Sequence, residues 1–164
     1  MAILEMKYYG SAVLTRPAKP IKQVDREILM LARDLLDTMY HYQGVGLAGP
    51  QVGVSKQIIV VDCGEEYQTD PYILLNPLVA SAEGQQVGSE GCLSLPDLFI
   101  DVERASCVKI QALNLDGKPI TVHGDGLLAR ALLHEIDHLK GKVFTELATD
   151  KEQLEREIPL LKER

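Results

Sequence analysis

The stretch His134-Glu135-Ile136-Asp137-His138 constrains this chain more than any other, because of the helix that must carry it. Leu127, Leu128, Ala131, Leu132, Leu133, Ile136 and Leu139 run through the same segment. A helix apolar on nearly every side belongs in the core. Two histidines and two carboxylates on such a helix are costly unless they are paired or bound to a metal. At four-residue spacing His134 and His138 leave the same face, about 40° apart around the axis. Two converging neutral imidazoles are part of a divalent-metal site, and Glu135 reaches a water there without being a ligand. The chemistry of such a pattern is metal-assisted hydrolysis. The third ligand, the metal and the bond that is cut stay open at this point.

The rest of the chain is read as a single domain built to bury that helix. At 164 residues it suits one core, and no repeat, linker or low-complexity segment divides it. No apolar run approaches the roughly 18–20 residues that span a bilayer, and Met1 to Gly10 does not read as a secretory signal. Three cysteines (Cys63, Cys92, Cys107) do not make a secreted disulfide framework, so a reducing cytoplasm is expected. A net charge of −7 argues against a broadly basic, DNA-binding surface.

Asp25 is positioned to cap a helix running to about Gln43, with Ile28, Leu31, Ala32, Leu35 and Met39 as its apolar stripe and Gly44 as its stop. Residues 44–53 hold four glycines and a proline and read as neither helix nor strand. The plain reading is a long turn; the functional one is a backbone that approaches a ligand closely, with Gln51 as an amide donor at its end. Strands are expected near 57–63, 72–82 (bent at Asn76-Pro77), 85–89, 99–104, 106–115 and 119–123, the last two joined by an Asp116-Gly117 turn. Cys63 and Cys107 read as strand packing, and His123 and His41 as histidines without a ligand role. Asp125 is expected to cap the metal-binding helix over 126–140, with Gly141 ending it. A short amphipathic helix follows at about 150–161. The fold class is α+β: a mixed, partly antiparallel sheet packed around a buried metal-binding helix, with an N-terminal and a short C-terminal helix.

A catalytic metal needs a third protein ligand and one open position. Six residues past His138, where a downstream histidine completes one H-E-x-x-H pattern, stands Phe144. Glu155 or Glu157 would need a second helix in register. Upstream, Cys92 lies in a Gly-Cys-Leu-Ser turn flanked by Glu90 and Pro96, and a thiolate suits iron(II), zinc, nickel or cobalt. Cys92 could instead be a free thiol or a nucleophile, though a nucleophile would leave Glu135 and the second histidine without a task. Glu90 is expected to pair with Arg104 and stiffen this loop, and Asp137 to make a polar contact beside the ligands.

Three stretches in order, Gly44-Val45-Gly46-Leu47-Ala48-Gly49-Pro50-Gln51, Glu90-Gly91-Cys92-Leu93-Ser94 and His134 to His138, resemble the peptide deformylase family over about residues 3–147. The resemblance implies a single catalytic domain over 1–164. It implies that Cys92, His134 and His138 hold one divalent ion, Fe2+ ahead of Zn2+, Ni2+ or Co2+. It makes Glu135 the general base and acid, and gives the oxyanion to Gln51 and the backbone N–H of Leu93. Gly46, Val45, Gly91, Leu127 and Arg130 would line the substrate, with Arg130 snorkelling at the rim. The implied reaction is hydrolysis of the formyl group of N-formylmethionine on new polypeptides, with transient ribosome association. Two residues depart from the family pattern: Gly49 replaces the usual alanine, which would loosen the loop holding Gln51, and Phe99 stands at a position that is often arginine.

Overall fold

A computed structural model describes residues 2–64, 70–150 and 152. The fold is α+β, as expected. Five strands form one sheet in the order β1-β2-β3-β6-β7: β1 (Gly46–Ala48), β2 (Ile58–Val61), β3 (Tyr72–Glu83), β6 (Cys107–Leu113) and β7 (Pro119–Asp125). A separate hairpin pairs β4 (Gln86–Cys92) with β5 (Leu95–Arg104). Every named ladder is antiparallel. Parallel pairing among the described residues is confined to the isolated bridge Lys19–Lys56. The helices are α1 (Arg26–His41) and α2 (Gly126–Leu139). The expected C-terminal helix falls almost entirely outside the described residues.

The two helices cover opposite faces of the sheet. On one face, Leu128, Ala129, Leu132, Ile136 and Leu139 of α2 pack with Ile59, Val61, Leu74, Val108, Ile110 and Val122. On the other, Ile28, Ala32, Leu35 and Met39 of α1 pack with Leu47, Ile58, Val60 and Leu75. Alternate residues of β2 therefore serve different clusters, which is why its four positions are all apolar. A third cluster, Leu95, Leu98, Ile100 and Val102 of β5 with Phe144, fastens the hairpin to the segment after α2.

Several local details differ from the sequence reading. The Asp25 side chain accepts from Ile28 N–H at 3.0 Å and caps α1 as expected. The stop is made one residue early, by Gln43 at φ +59. Gln43 N–H donates to Tyr40 C=O at 3.1 Å and Gly44 N–H to Met39 C=O at 2.9 Å, the paired bonds of a Schellman motif. Residues 46–52 are regular after all: strand β1 runs straight into a single 3₁₀ turn, Gly49–Val52. Glycine at 49 does not loosen this segment. A Cβ there would stand 2.7 Å from Val54 O and 2.8 Å from Lys56 O, so the chain folds back more tightly than a side chain allows.

Cys92 is the last residue of β4 rather than part of a free turn, because the hairpin continues through Leu93-Ser94 to pair Cys92 with Leu95. Cys107 is exposed at the start of β6 and does not pack in the core, whereas Cys63, half-buried just beyond the end of β2, packs against the cluster under α2. Asp125 occupies the N-cap position of α2 without bonding through its side chain. It is still extended strand, and Gly126, at φ +52, turns β7 directly into the helix with its N–H on Ser106 C=O.

Gln43 is an exposed, non-glycine residue in a left-handed conformation, which costs about 1–2 kcal/mol relative to the ordinary backbone. Gln43→Gly is therefore expected to stabilise the fold by about 0.5–1 kcal/mol, raising the melting temperature by roughly 1–4 °C. An unchanged or lower melting temperature in a calorimetric scan would contradict this account of the α1 terminus.

Candidate active site

Helix α2 lies with His134, Glu135 and His138 all buried, and the β4–β5 hairpin brings Cys92 to them. Cys92 Sγ is 3.3 Å from His138 Nε2, and His138 Nε2 is 3.3 Å from His134 Nε2. One donor atom from each residue lies within 4.8 Å of the others. Ligands about 2.0–2.3 Å from a tetrahedral ion stand roughly 3.3–3.8 Å apart, so the two sides that meet at His138 have the length a divalent metal requires. The donor set, one thiol and two imidazoles, suits a borderline-soft transition metal. Glu135 Oε1 lies on the same helix turn and is buried without a hydrogen-bond partner among the described residues, as a group meant for a water or substrate would be. His123 is exposed on β7 and takes no part in this cluster.

Behind the triangle stands Glu90 of β4. Its carboxylate accepts from Arg104 Nε at 3.1 Å and Nη2 at 2.6 Å, from Arg130 Nη1 at 2.7 Å, and meets His134 Nδ1 at 2.5 Å. The expected Glu90–Arg104 pair is therefore present as a bidentate contact. The expected polar contact of Asp137 is a salt bridge to Arg104 Nη1 at 2.5 Å. Arg130 is not a snorkelling stem: it is buried, and its Nη1 also donates to Val102 C=O at 3.1 Å. The contacts of Glu90 with His134 and Arg130 were missed in the sequence. Their only trace there is an acid two residues before the cysteine.

These contacts set the charge states of the metal-free chain. Burial works to raise the Glu90 carboxyl, but the hydrogen bonds and charges of His134 and Arg104 overcome it and hold it down at about 2. Burial opposes charge on His134 too, yet Glu135, Cys92 and Glu90 together push its pKa well up. His138 is pushed well down, by burial first and then by the charges of His134 and Arg104. Burial raises Glu135 to about 7, against the opposing charge of His134.

Gln51, buried at the end of the 3₁₀ turn, faces the same triangle. Ala48 N–H donates to its Oε1 at 2.9 Å, which turns its Nε2 toward Cys92 Sγ at 3.5 Å and Ser94 Oγ at 3.2 Å. Leu93 forms the hairpin tip next to Cys92 and touches the site from the far side; a Cβ on Gly44 would stand 2.7 Å from Leu93 Cδ1. At Gly46 a Cβ would stand 2.5 Å from Glu135 Oε2, so only glycine lets β1 pass this close to the Glu135 carboxylate.

A cleft of about 730 Å³ opens over these groups. Val45, Gly46, Gly91, Leu127 and Arg130 all line it, together with Gln51, Cys92, Leu93, His134 and Glu135. Phe99, singled out in the sequence as a departure, also lines it, with Tyr8 and Tyr42, which the sequence did not single out. Phe99 lies over Gly91, where a Cβ would stand 2.6 Å from its ring. Phe144, in the position of the absent downstream histidine, is buried with its ring 5.4 Å from that of His134. Glu155 and Glu157 lie outside the described residues.

The family model described as polypeptide deformylase matches residues 3–154. A peptide deformylase of Alkalilimnicola ehrlichii is 44% identical over 150 residues, covering 92% of this chain and 84% of that protein. One from Desulfitobacterium hafniense is 46% identical over 148 residues, covering 90% and 96%. Among solved structures, the peptide deformylase of Synechococcus elongatus in complex with actinonin superposes with a TM-score of 0.91 at 39% identity, covering 96% of this chain and 86% of that one. That of Thermotoga maritima superposes at 0.87 and 33% identity, covering 92% and 100%. The chain belongs to the polypeptide deformylase family.

Proposed function

We infer that this chain removes the formyl group from N-formylmethionine at the start of newly made polypeptides, releasing formate, and that Cys92, His134 and His138 hold the metal ion that the reaction uses. Family membership supports the reaction. The observation that carries the residue roles is the convergence of three ligand atoms beside an unpartnered Glu135 oxygen and the Gln51 amide.

When bound, a divalent ion supplies Lewis acidity and makes a coordinated water acidic near neutral pH. Fe2+ is the assigned ion, ahead of Zn2+, Ni2+ or Co2+, which the same thiolate-imidazole set also accepts. The chain's own groups do the rest. Glu135 takes the proton of the attacking water and returns it to the amine as the C–N bond breaks. Gln51 Nε2–H and Leu93 N–H receive the negative charge that develops on the formyl oxygen. Val45, Gly46 and Gly91 offer backbone to an extended peptide, which fixes the first residue and tolerates many after it. Leu127 and the buried Arg130 flank the room for the methionine side chain. All of residues 1–164 are read as one catalytic domain. The substrate class places the work in the cytoplasm, where chains leave the ribosome, with transient ribosome association.

Glu135→Gln is expected to keep its metal and lose about 10²–10⁴-fold in kcat for formate release from formyl-Met-Ala, the usual contribution of a positioned acid–base group. Retention of more than a tenth of the wild-type rate would remove Glu135 from its role.

Cys92→Ala takes away one of three ligands. The variant is expected to purify with little metal, measured by elemental analysis after anaerobic preparation, and to release formate at background rates. Full metal content with full activity would show that Cys92 is not a ligand.

A further inference from the structure

We propose that Ser94 is a positioning residue for Gln51: its hydroxyl anchors one N–H of the Gln51 amide so that the other is held toward the formyl oxygen of the substrate. The inference rests on the oxyanion role given to Gln51 above. Ser94 is a fully buried hydroxyl in a two-residue hairpin turn, a costly place for a polar group without partners. Among the described residues its side-chain partners are two. Gln51 Nε2 donates to Ser94 Oγ at 3.2 Å, and Ser94 Oγ–H donates to Met6 Sδ at 3.9 Å.

The direction of that chain is fixed from both ends. At one end Ala48 N–H holds Gln51 Oε1, so the end of the amide facing Ser94 is the NH₂ group. At the other, a thioether sulfur accepts and never donates, so the Ser94 proton points to Met6 and its lone pairs face Gln51. One amide proton is therefore committed to Ser94. The other lies along the 3.5 Å approach to Cys92 Sγ, a weak bond that an incoming oxygen shares or replaces without cost.

The backbone holds these parts in register. Residues 6–9 run between the two elements: Lys7 N–H donates to Gln51 C=O at 2.7 Å and Tyr9 N–H to Ser94 C=O at 2.8 Å. The segment that supplies Met6 thus ties the 3₁₀ turn to the cysteine hairpin. Ser94 acts across that tie, on the rotation of one amide.

The test is a double-mutant cycle on metal-loaded protein, with metal content and melting temperature checked for each variant. Ser94→Ala is expected to lower kcat for formyl-Met-Ala by about tenfold, with KM within about twofold. Gln51→Met is expected to lower kcat by about 10²-fold or more. In the Gln51→Met background, adding Ser94→Ala is expected to change kcat by less than about twofold, because the group it positions is gone. Ser94→Cys keeps the connectivity with a larger, weaker acceptor, and is expected to fall between wild type and Ser94→Ala. An equal loss from Ser94→Ala in both backgrounds would make Ser94 merely structural and overturn the proposal. So would wild-type kcat in Ser94→Ala or Ser94→Cys while Gln51→Met is slow. An unchanged rate in Gln51→Met is a different result: it removes the oxyanion role of Gln51 and the proposal with it.

Discussion

The carboxylate of Glu90 is the contact on which the site depends. It sits on one strand of a two-stranded hairpin, and the hairpin is not part of the main sheet. Cys92 is two residues further along that strand, while both histidines ride on α2. Something must hold the hairpin against the helix to within a few tenths of an ångström, or the donor atoms of Cys92, His134 and His138 do not converge. Glu90 does so by accepting four hydrogen bonds, from Arg104 on the hairpin and from Arg130 and His134 on α2. Four acceptances use up the lone pairs of a carboxylate, so a buried charge that would otherwise be costly is fully satisfied. Asp137 then balances Arg104 from the helix side. The cluster pairs two arginines with two carboxylates.

The apolar packing sets the stage for this cluster and does not make it. Leu95, Leu98, Ile100 and Val102 fasten β5 to Phe144, and the inner face of α2 fastens it to the sheet. Hydrophobic contacts of this kind are non-directional. They bring the hairpin and the helix together and leave the last few tenths of an ångström to groups with fixed hydrogen-bond geometry. Phe144 contributes in a second way, by covering the ring of His134 and keeping water from that side of the imidazole.

Periodicity made most of the fold legible. The apolar stripe of α1, the all-round apolar character of α2 and the alternation along the strands each correspond to a packed face. Residues 44–53 were misread because glycine and proline counts argue against regular structure. Here β1 is only three residues long, and its glycine serves the close passage of Glu135. The stop of α1 was placed at Gly44 because glycine is the usual left-handed residue, whereas Gln43 takes that conformation. At the site, spacing and the family resemblance named the residues that converge. The long-range pairings of Glu90 with His134 and of Ser94 with Gln51 had no local signal, because residues 44 and 43 positions apart meet only through the fold. Arg130 was assigned to the rim on the usual behaviour of arginine on a helix, and its burial against Glu90 depends on a strand that the helix pattern does not contain.

The two histidines show why a motif underdetermines its own chemistry. In H-E-x-x-H they are equivalent by spacing. In the fold, His134 Nδ1 is backed by a saturated carboxylate, while His138 Nδ1 has no partner among the described residues. Glu90 remains ionised, so it takes the N–H of His134 and leaves the Nε2 lone pair for the centre, which fixes both tautomer and ring orientation. The protonation tendencies diverge in the same sense, with His134 pushed up by its anionic neighbours and His138 pushed down by burial and by the charge on His134. A proton entering the metal-free centre therefore goes to His134. The acidic neighbours that favour that proton attract an incoming cation by the same electrostatics.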